Sequence, residues 1–303
     1  MSFDVARLAT VQLVPLTPFS ADGSKVLPEV LTAFAKSAYD AGIRVFVPGA
    51  GTGEFQSLTA DEVITVVKAV RSGVGSDATI ITPIGMGIGH ALAVGRGAID
   101  AGTDALLVMP PIHPYLCDPG VRDYFQTLMD ALPLPFLAYK KGPFPSDELL
   151  GEFAATGRLV GVKYAVNDVD AVTRFVNANR GRLDVFCGTA ERFAPFFHLA
   201  GAKGYTSGSG NLCPKVTLAI HAALVRGDYA RALELVEVLR PIEEYRSRAG
   251  DSYNISMLKC AIRLKGFDFG PCRPPQRRLN ATEEGQIRAI LEPILEYEAK
   301  LAH

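Results

Sequence analysis

Short apolar runs alternate with amphipathic segments along the first two thirds of the chain. Segments with apolar residues at helical spacing, such as Leu27 to Ala41 and Asp61 to Val74, separate the runs. Parallel strands that are covered on both faces read as nearly continuous apolar runs, so the pattern predicts an α/β fold, a (β/α)8 TIM barrel. A doubly wound sheet is the alternative, but eight regular units without a change in composition favour closure. The predicted strands are Val11 to Phe19, Arg44 to Gly51, Thr79 to Gly85, Ala105 to Pro111, Pro135 to Lys141, Leu159 to Ala165, Leu183 to Thr189 and Gly204 to Gly210.

From Pro214 onward the pattern becomes wholly helical. The predicted helices are Lys215 to Arg226, Tyr229 to Arg246, Ser252 to Leu264 and Glu283 to Lys300. No linker or low-complexity segment separates this region from the strands. We therefore predict a barrel over residues 1–213 and a C-terminal helical extension over residues 214–303 that packs on it.

Composition and charge exclude several classes of partner. With 303 residues and 48% hydrophobic content, the chain has enough material for one large core. It carries 31 basic and 32 acidic residues, so its charge gives no reason to expect binding to nucleic acid or to an anionic membrane. The longest apolar stretches, such as Ala105 to Ile112, are too short to span a bilayer. The first residues lack the layout of a secretion signal, and we expect a cytoplasmic protein.

The cysteines and histidines give no indication of a bound metal. The five cysteines form no C-x-x-C pair, and the five histidines show no paired spacing of the kind that zinc enzymes use. We therefore expect neither a disulfide framework, nor a metal, nor another cofactor.

Lys163 is the first candidate for chemistry. It lies near the end of the predicted strand six, and Tyr139 lies near the end of strand five. Active sites of such barrels lie at the carboxyl ends of the strands, so both side chains are expected at one rim. Burial disfavours an ammonium ion and lowers its pKa toward the range in which the amine attacks a carbonyl group. The alternative is a lysine whose stem packs while its head reaches water.

A glycine-rich loop follows the predicted strand two. In the run Gly49-Ala-Gly-Thr-Gly-Glu54, the glycines allow backbone amides to turn toward one point, and the Thr52 hydroxyl adds a donor. Gly51, Thr52 and Gly53 are therefore predicted to bind a carboxylate, although an ordinary tight turn is the alternative. Glu54 stands where a dinucleotide-binding fingerprint needs its last glycine. A capping box, Thr59 with Glu62, starts the next helix.

The rim of strand eight offers further polar groups. Ser207, Ser209 and Asn211 alternate with glycines that bring the backbone close to whatever lies there. We predict that these three side chains contact the substrate.

These motifs, in this order, resemble those of the dihydrodipicolinate synthase and N-acetylneuraminate lyase superfamily. The motifs are Gly51-Thr-Gly-Glu54, Tyr139, Gly161-Val-Lys163 and Gly204-Tyr-Thr-Ser-Gly-Ser-Gly-Asn211. The resemblance implies a barrel with C-terminal helices, a homotetramer or homodimer, and chemistry on a small 2-keto acid through a lysine imine. It also implies that Lys163 forms the Schiff base, that Tyr139 shuttles protons, and that Thr52 with its neighbouring amides holds the substrate carboxylate.

Within the superfamily, some positions depart from dihydrodipicolinate synthase itself. Ile112 and Phe144 stand where that enzyme has a relay tyrosine and a substrate-binding arginine. The stretches Gly51 to Leu58, Ser252 to Lys259 and Gly270 to Pro275 are instead similar to 5-dehydro-4-deoxyglucarate dehydratase. That similarity implies a carbon–oxygen lyase of sugar-acid catabolism, which removes water and carbon dioxide from a keto-deoxy sugar diacid to give 2,5-dioxopentanoate.

Two segments depart from the dehydratase pattern as well. Tyr139-Lys-Lys141 replaces Tyr-Asn-Arg, and Lys163-Tyr-Ala165 replaces Lys-Asp-Gly. Lys140, or Lys141, is therefore predicted to bind a second carboxylate or a phosphate, with one of the two in solvent because strand side chains alternate in direction.

Two other functions stay open. One is an aldolase or a condensing enzyme that uses pyruvate through the same imine. The other is a keto-acid-binding protein without turnover, although a pure binder has no need of a desolvated amine beside a tyrosine.

Overall fold

Eight parallel strands form a closed barrel in the computed structural model, which describes residues 3–301. Each strand pairs with the next one along the chain, and β8 pairs with β1 to close the ring. The predicted (β/α)8 fold is confirmed. The strands are β1 Val11–Leu13, β2 Val45–Phe46, β3 Thr79–Ile84, β4 Ala105–Val108, β5 Phe136–Lys140, β6 Leu159–Tyr164, β7 Asp184–Cys187 and β8 Gly204–Ser207.

Helices follow the strands on the outside of the barrel and continue past it. Among the helices of residues 3–301, none is both long and apolar enough to cross a membrane. The helices are α1 Pro28–Asp40, α2 Ala60–Gly73, α3 Ile88–Asp100, α4 Asp118–Ala131, α5 Asp147–Ala155, α6 Val169–Ala178, α7 Ala194–Leu199, α8 Pro214–Val225, α9 Tyr229–Arg246, α10 Arg248–Asp251, α11 Asn254–Ile262 and α12 Ala281–Lys300.

Local sequence signals place the helix starts correctly. At the start of α2, the Thr59 amide donates to the Glu62 carboxylate at 3.0 Å, and the Glu62 amide donates to the Thr59 hydroxyl at 3.2 Å. This is the predicted capping box, which satisfies amides that have no partner inside the helix. Helix α1 begins at Pro28, where the fixed φ of proline suits the first helical position.

The first two strands are shorter than their apolar runs predict. β1 ends at Leu13, yet Leu16 and Phe19 beyond it are buried. The chain there pairs with the C-terminal extension instead of a neighbouring strand, since the Phe19 amide donates to the Phe269 carbonyl at 3.0 Å. Apolar patterning reports burial, and here a loop is buried as deeply as a strand.

The helical tail divides into two parts. Helix α8 follows β8 directly and packs against β1, so it holds the place of the eighth barrel helix. The helices that lie beyond the barrel repeat begin with α9, while the division of the chain at residue 213 stays a prediction. Between α9 and α11, the short α10 has positive φ at Ala249, Gly250 and Asp251. Such backbone is unfavourable for residues other than glycine, and it lies at the mouth of the barrel.

A buried ion pair joins the glycine-rich loop to the extension. Lys259 Nζ of α11 lies 2.6 Å from Glu54 Oε1, and both side chains are almost fully buried. The Arg273 amide and the Gln276 side chain donate to the other Glu54 oxygen at 3.0 and 2.9 Å. Glu54 itself has a left-handed backbone, with φ of 65°. The late segment of the chain thus fixes the path of the loop that carries Thr52.

Candidate active site

A cavity of about 750 Å³ opens at the carboxyl ends of the strands. This is the end at which (β/α)8 barrels carry their chemistry. The cavity brings together Thr52 from the β2 loop, Tyr139 and Lys163 from β5 and β6, Ser207 from β8 and Arg246 from α9. Five separate parts of the sequence therefore contribute to one concave surface.

Lys163 lies buried in the wall of this cavity. Its residue is only 5% exposed, and within residues 3–301 it forms no salt bridge. Burial removes the hydration of the ammonium and lowers the pKa of Lys163 to about 7, and the positive charge of nearby Lys141 acts in the same direction. A large share of the amine is therefore neutral at neutral pH.

Gly188 makes the space that the lysine stem occupies. A Cβ at this position would lie 3.1 Å from Lys163 Cγ and 2.9 Å from the Tyr164 carbonyl oxygen. Both distances are shorter than ordinary carbon contacts allow. The sequence motifs do not single out Gly188, although a glycine directly after strand seven is a signal of close approach.

Tyr139 lies beside Lys163, as predicted. The two residues are register partners on β5 and β6, and the Lys163 Nζ lies 4.1 Å from the centre of the Tyr139 ring. The amine thus lies over the face of the ring. Burial raises the pKa of Tyr139 to about 12, and the negative charge of Asp251 adds to the effect. The phenol is therefore neutral at neutral pH and keeps a proton to donate.

The glycine-rich loop places two of its three predicted residues at the cavity. Gly51 and Thr52 line it, whereas Gly53 does not. The Gly53 carbonyl accepts from the Thr17 hydroxyl at 2.7 Å, and a Cβ there would lie 3.0 Å from the Pro15 oxygen. The prediction that Gly53 contacts the substrate is corrected, because this glycine packs behind the turn and supports it.

Of the three predicted residues of strand eight, only Ser207 lines the cavity. It is fully buried, and its hydroxyl donates to Glu191 and accepts from the Gly210 amide. The Ser209 hydroxyl donates to Glu243, and the Asn211 amide group bridges the Leu16 amide and the Val14 carbonyl at 3.0 and 2.9 Å. Neither Ser209 nor Asn211 lines the cavity, so both predictions are corrected. Their side chains fasten the end of β8 to its neighbours.

Lys140 points away from the cavity. Its Nζ lies 3.3 Å from Asp147 Oδ1 and donates to the Pro145 carbonyl at 2.9 Å. Since Tyr139 faces inward, the pleat directs the next residue outward. The predicted substrate contact of Lys140 is therefore wrong, and Lys141 is the lysine of this pair that lines the cavity.

The C-terminal helices supply side chains that the sequence motifs do not indicate. Arg246 of α9 is 5% exposed; it pairs with Glu243 and donates from Nη2 to Asn254 Oδ1 at 2.8 Å. It fits against the end of β8 only because Gly208 has no side chain, since a Cβ there would lie 2.9 Å from Arg246 Cζ. Helical periodicity marks Arg246 as a helix residue and gives no signal that it faces an active site.

The fold and the cavity together define a (β/α)8 barrel with a buried lysine of lowered pKa in the cavity at the carboxyl ends of its strands. The chain belongs to the dihydrodipicolinate synthetase family, whose sequence profile matches residues 7–294. This confirms the superfamily to which the sequence motifs pointed.

Similar proteins include named dehydratases. A protein of Streptomyces coelicolor named probable 5-dehydro-4-deoxyglucarate dehydratase 1 is 30% identical over 92% of this chain and 90% of its own length. A Streptomyces avermitilis protein, named probable 5-dehydro-4-deoxyglucarate dehydratase 2, is 33% identical over 91% of this chain and 84% of its own.

Solved structures show the same fold. The dihydrodipicolinate synthase of Oceanobacillus iheyensis superposes with a TM-score of 0.89, at 32% identity, over 98% of this chain and 100% of that one. The sialic acid aldolase of Ruminococcus gnavus superposes with a TM-score of 0.90 at 18% identity, over 98% of this chain and 100% of that one. At that identity the second likeness concerns the fold alone.

Proposed function

We propose that the protein is a lyase that binds a 2-keto acid as an imine of Lys163. The observation that carries this proposal is the position of Lys163, which is buried in the wall of the cavity beside Tyr139 and forms no salt bridge within residues 3–301; this burial lowers the pKa of Lys163 to about 7. A neutral amine attacks the keto carbon, and loss of water then gives the iminium ion. The iminium withdraws electrons and acidifies the adjacent carbon, which prepares the next bond to break.

Groups around Lys163 fit the other parts of such a substrate. Thr52 and the amides of its turn hold the carboxylate next to the imine, and the neutral Tyr139 hydroxyl exchanges protons at the adjacent carbon. Lys141 lines the cavity on the loop after β5 and meets a second carboxylate at the far end of the substrate. A cavity of about 750 Å³ has room for a six-carbon diacid.

The reaction that we propose is dehydration and decarboxylation of a keto-deoxy sugar diacid. The names of the similar proteins from Streptomyces support 5-dehydro-4-deoxyglucarate as the substrate. The apolar side chains of Ile112 and Phe144 line the cavity, and neither can relay a proton or bind a carboxylate. This supports a dehydratase over an enzyme that condenses pyruvate with aspartate semialdehyde.

A substrate panel tests the proposal. We expect 5-dehydro-4-deoxyglucarate to yield 2,5-dioxopentanoate by mass spectrometry. The monoacid 2-keto-3-deoxygluconate should react more slowly, and pyruvate with aspartate semialdehyde should give no useful rate. Reduction with borohydride should add one ligand mass to the protein and none to Lys163→Ala. Efficient condensation, a preference for the monoacid, or an adduct on another lysine would each contradict the proposal.

We also propose that the protein is a homo-oligomer. Leu199 at the end of α7 and Val225 at the end of α8 are 65% and 64% exposed, and a subunit contact would cover such side chains. Light scattering after size-exclusion chromatography should give a mass of two or four chains.

A further inference from the structure

Arg192 is a cationic side chain of the cavity that has no partner in the described part of the chain. It lies on the turn between β7 and α7 and is half-buried. Its Nε is enclosed without a hydrogen-bond acceptor, and within residues 3–301 its guanidinium forms no ion pair and no hydrogen bond. A buried N–H group without an acceptor costs free energy. A ligand that brings an acceptor to this place is therefore favoured.

The Arg192 guanidinium lies on the cavity side of its turn. Its carbon Cζ is 5.9 Å from the centre of the Phe193 ring, and Ala190, Arg192 and Phe193 all line the cavity. Glu191 does not line it, because its carboxyl group accepts from the Thr217 hydroxyl of α8 at 3.0 Å. The two charged side chains of the turn thus point to opposite sides, with Glu191 toward α8 and Arg192 toward the cavity.

The turn that carries Arg192 has a fixed shape. Ala190 has a left-handed backbone, with φ of 63°, which is unfavourable for a residue with a Cβ and persists only where the surroundings hold it. The Phe193 amide donates to the Ala190 carbonyl at 3.3 Å, and the buried Glu191 side chain fastens the middle of the turn to α8. Arg192 is therefore presented to the cavity from a position that packing determines.

The charges of the cavity match a substrate with two acid groups. Glu243 and Arg246 neutralise each other as an ion pair. Thr52 and the amides of its turn, which are proposed to hold the first carboxylate, carry no charge. An excess of two positive charges therefore acts on the rest of the substrate. The charged lining consists of four basic and two acidic side chains, namely Lys141, Lys163, Arg192, Arg246, Glu243 and Asp251.

Two cations without a partner lie on either side of Lys163, and they differ as receptors for a carboxylate. β5 and β7 flank β6 in the barrel, so Lys141 and Arg192 follow the two strands next to the lysine. Lys141 is exposed, and an ammonium is strongly hydrated. Arg192 is half-buried and more weakly hydrated, and its parallel N–H groups match the two oxygens of a carboxylate. Arg192 is therefore the better receptor.

We propose that Arg192 binds the second carboxylate of the substrate and thereby selects keto diacids. The inference rests on the proposed function, since the other end of the substrate is held as an imine of Lys163. Nε–H and one Nη–H of Arg192 donate to the two carboxylate oxygens, while Lys141 adds positive charge from the β5 side. Arg192 determines specificity and takes no part in breaking bonds.

An arginine that only packs on Phe193 and is hydrated at the rim is the competing explanation. Such a side chain has no contact with the far end of the substrate. Its replacement would then affect diacids and monoacids alike, or neither of them.

The test compares two six-carbon 2-keto acids that have no hydroxyl group to lose, the diacid 2-oxoadipate and the monoacid 2-oxohexanoate. Cyanoborohydride traps their imines on Lys163, and the initial rate of adduct formation against acid concentration gives a half-saturating concentration for each. In the unmodified protein this concentration should be about 10- to 100-fold lower for 2-oxoadipate, because only the diacid makes the charge-assisted contact.

Arg192→Met should lose most of this preference, with an unchanged value for 2-oxohexanoate, which also shows that the cavity is intact. Arg192→Lys should fall between the two proteins, because an ammonium keeps the charge and lacks the paired donors. Arg96→Met is the matched control, since Arg96 is an exposed arginine of α3 that does not line the cavity, and it should keep the full preference.

The outcomes separate this inference from the proposed function. Adduct with both acids and an unchanged preference for 2-oxoadipate in Arg192→Met would overturn the role of Arg192 alone. Equal losses for the two acids in Arg192→Met would overturn it as well, because they indicate a structural role. Absence of an adduct with either acid in the unmodified protein would refute the imine, and the proposed function and this inference with it.

Discussion

The pKa of Lys163 can be changed without mutating Lys163 itself, by reversing the charge of Lys141. A pKa of about 7 leaves about half of the Lys163 amine neutral at pH 7, whereas an ordinary lysine leaves only about one molecule in three thousand neutral. Lys141 contributes to this, since its positive charge lowers the pKa of Lys163. Lys141→Glu replaces that charge with a negative one, which favours the ammonium.

The expected size of the effect follows from the exposure of Lys141. Its side chain is exposed, so solvent and salt screen the interaction, and we expect the pKa of Lys163 to rise by about one pH unit. The neutral fraction at pH 7 would then fall from about one half to about one tenth. Imine formation at pH 7 should slow by a similar factor, and the difference should vanish above about pH 9.

The assay is the initial rate of adduct formation with pyruvate, which has no second carboxylate for Lys141 to bind, and cyanoborohydride, followed by intact mass from about pH 5 to about pH 10. The rate in the unmodified protein should rise with pH to a plateau, with its midpoint near 7. Lys68→Glu reverses an exposed charge on α2 and serves as the matched control, which should leave the midpoint unchanged. A midpoint above about 9 in the unmodified protein, or no upward movement in Lys141→Glu, would refute the reasoning about Lys163.

Three further outcomes are expected. Tyr139→Phe should keep the fold and the trapped adduct but lower kcat by about 10² to 10⁴-fold, measured with the diacid substrate; an unchanged rate would exclude the proton shuttle. Lys259→Met leaves Glu54 buried without its cation. This should lower the free energy of unfolding, measured by urea titration, by about 3–5 kcal/mol. A loss below about 1 kcal/mol would show that Glu54 tolerates the loss of its cation. Gly208→Ala should displace the Arg246 guanidinium and therefore lower kcat/KM, while the melting temperature changes little. A marked fall in both kcat/KM and the melting temperature would contradict this expectation.

Much of the fold could be predicted because its signals are local. Strand and helix periods differ, and eight alternations of the two left few architectures to consider. The capping box at Thr59 needs only residues three apart. Lys163 and Tyr139 could be paired because both end an apolar run, and parallel strands bring such ends to one rim.

The direction of single side chains was predicted less well. The sequence prediction of Lys140 as a substrate contact is wrong because Lys141 is the residue that faces the cavity, and the alternation of strand side chains counted from Tyr139 indicates this. At β8 no such signal existed, because the chain leaves the strand after Ser207 and turns through a 3-10 helix at Ser209–Asn211. The alternation rule ends with the strand, so Ser209 and Asn211 turned away from the cavity.

The sequence by itself determined the barrel, the lysine and the tyrosine at its rim, and the family to which the chain belongs. Only the tertiary structure decided what surrounds that lysine. Arg246 reaches the cavity from a helix some eighty positions further along the chain, and Glu191 becomes an isolated buried acid only when β7, β8 and α8 close around it. The pKa of a group depends on every charge and solvent molecule near it. Packing between segments that are distant in the sequence determines these surroundings, and the adjacent residues in the sequence do not.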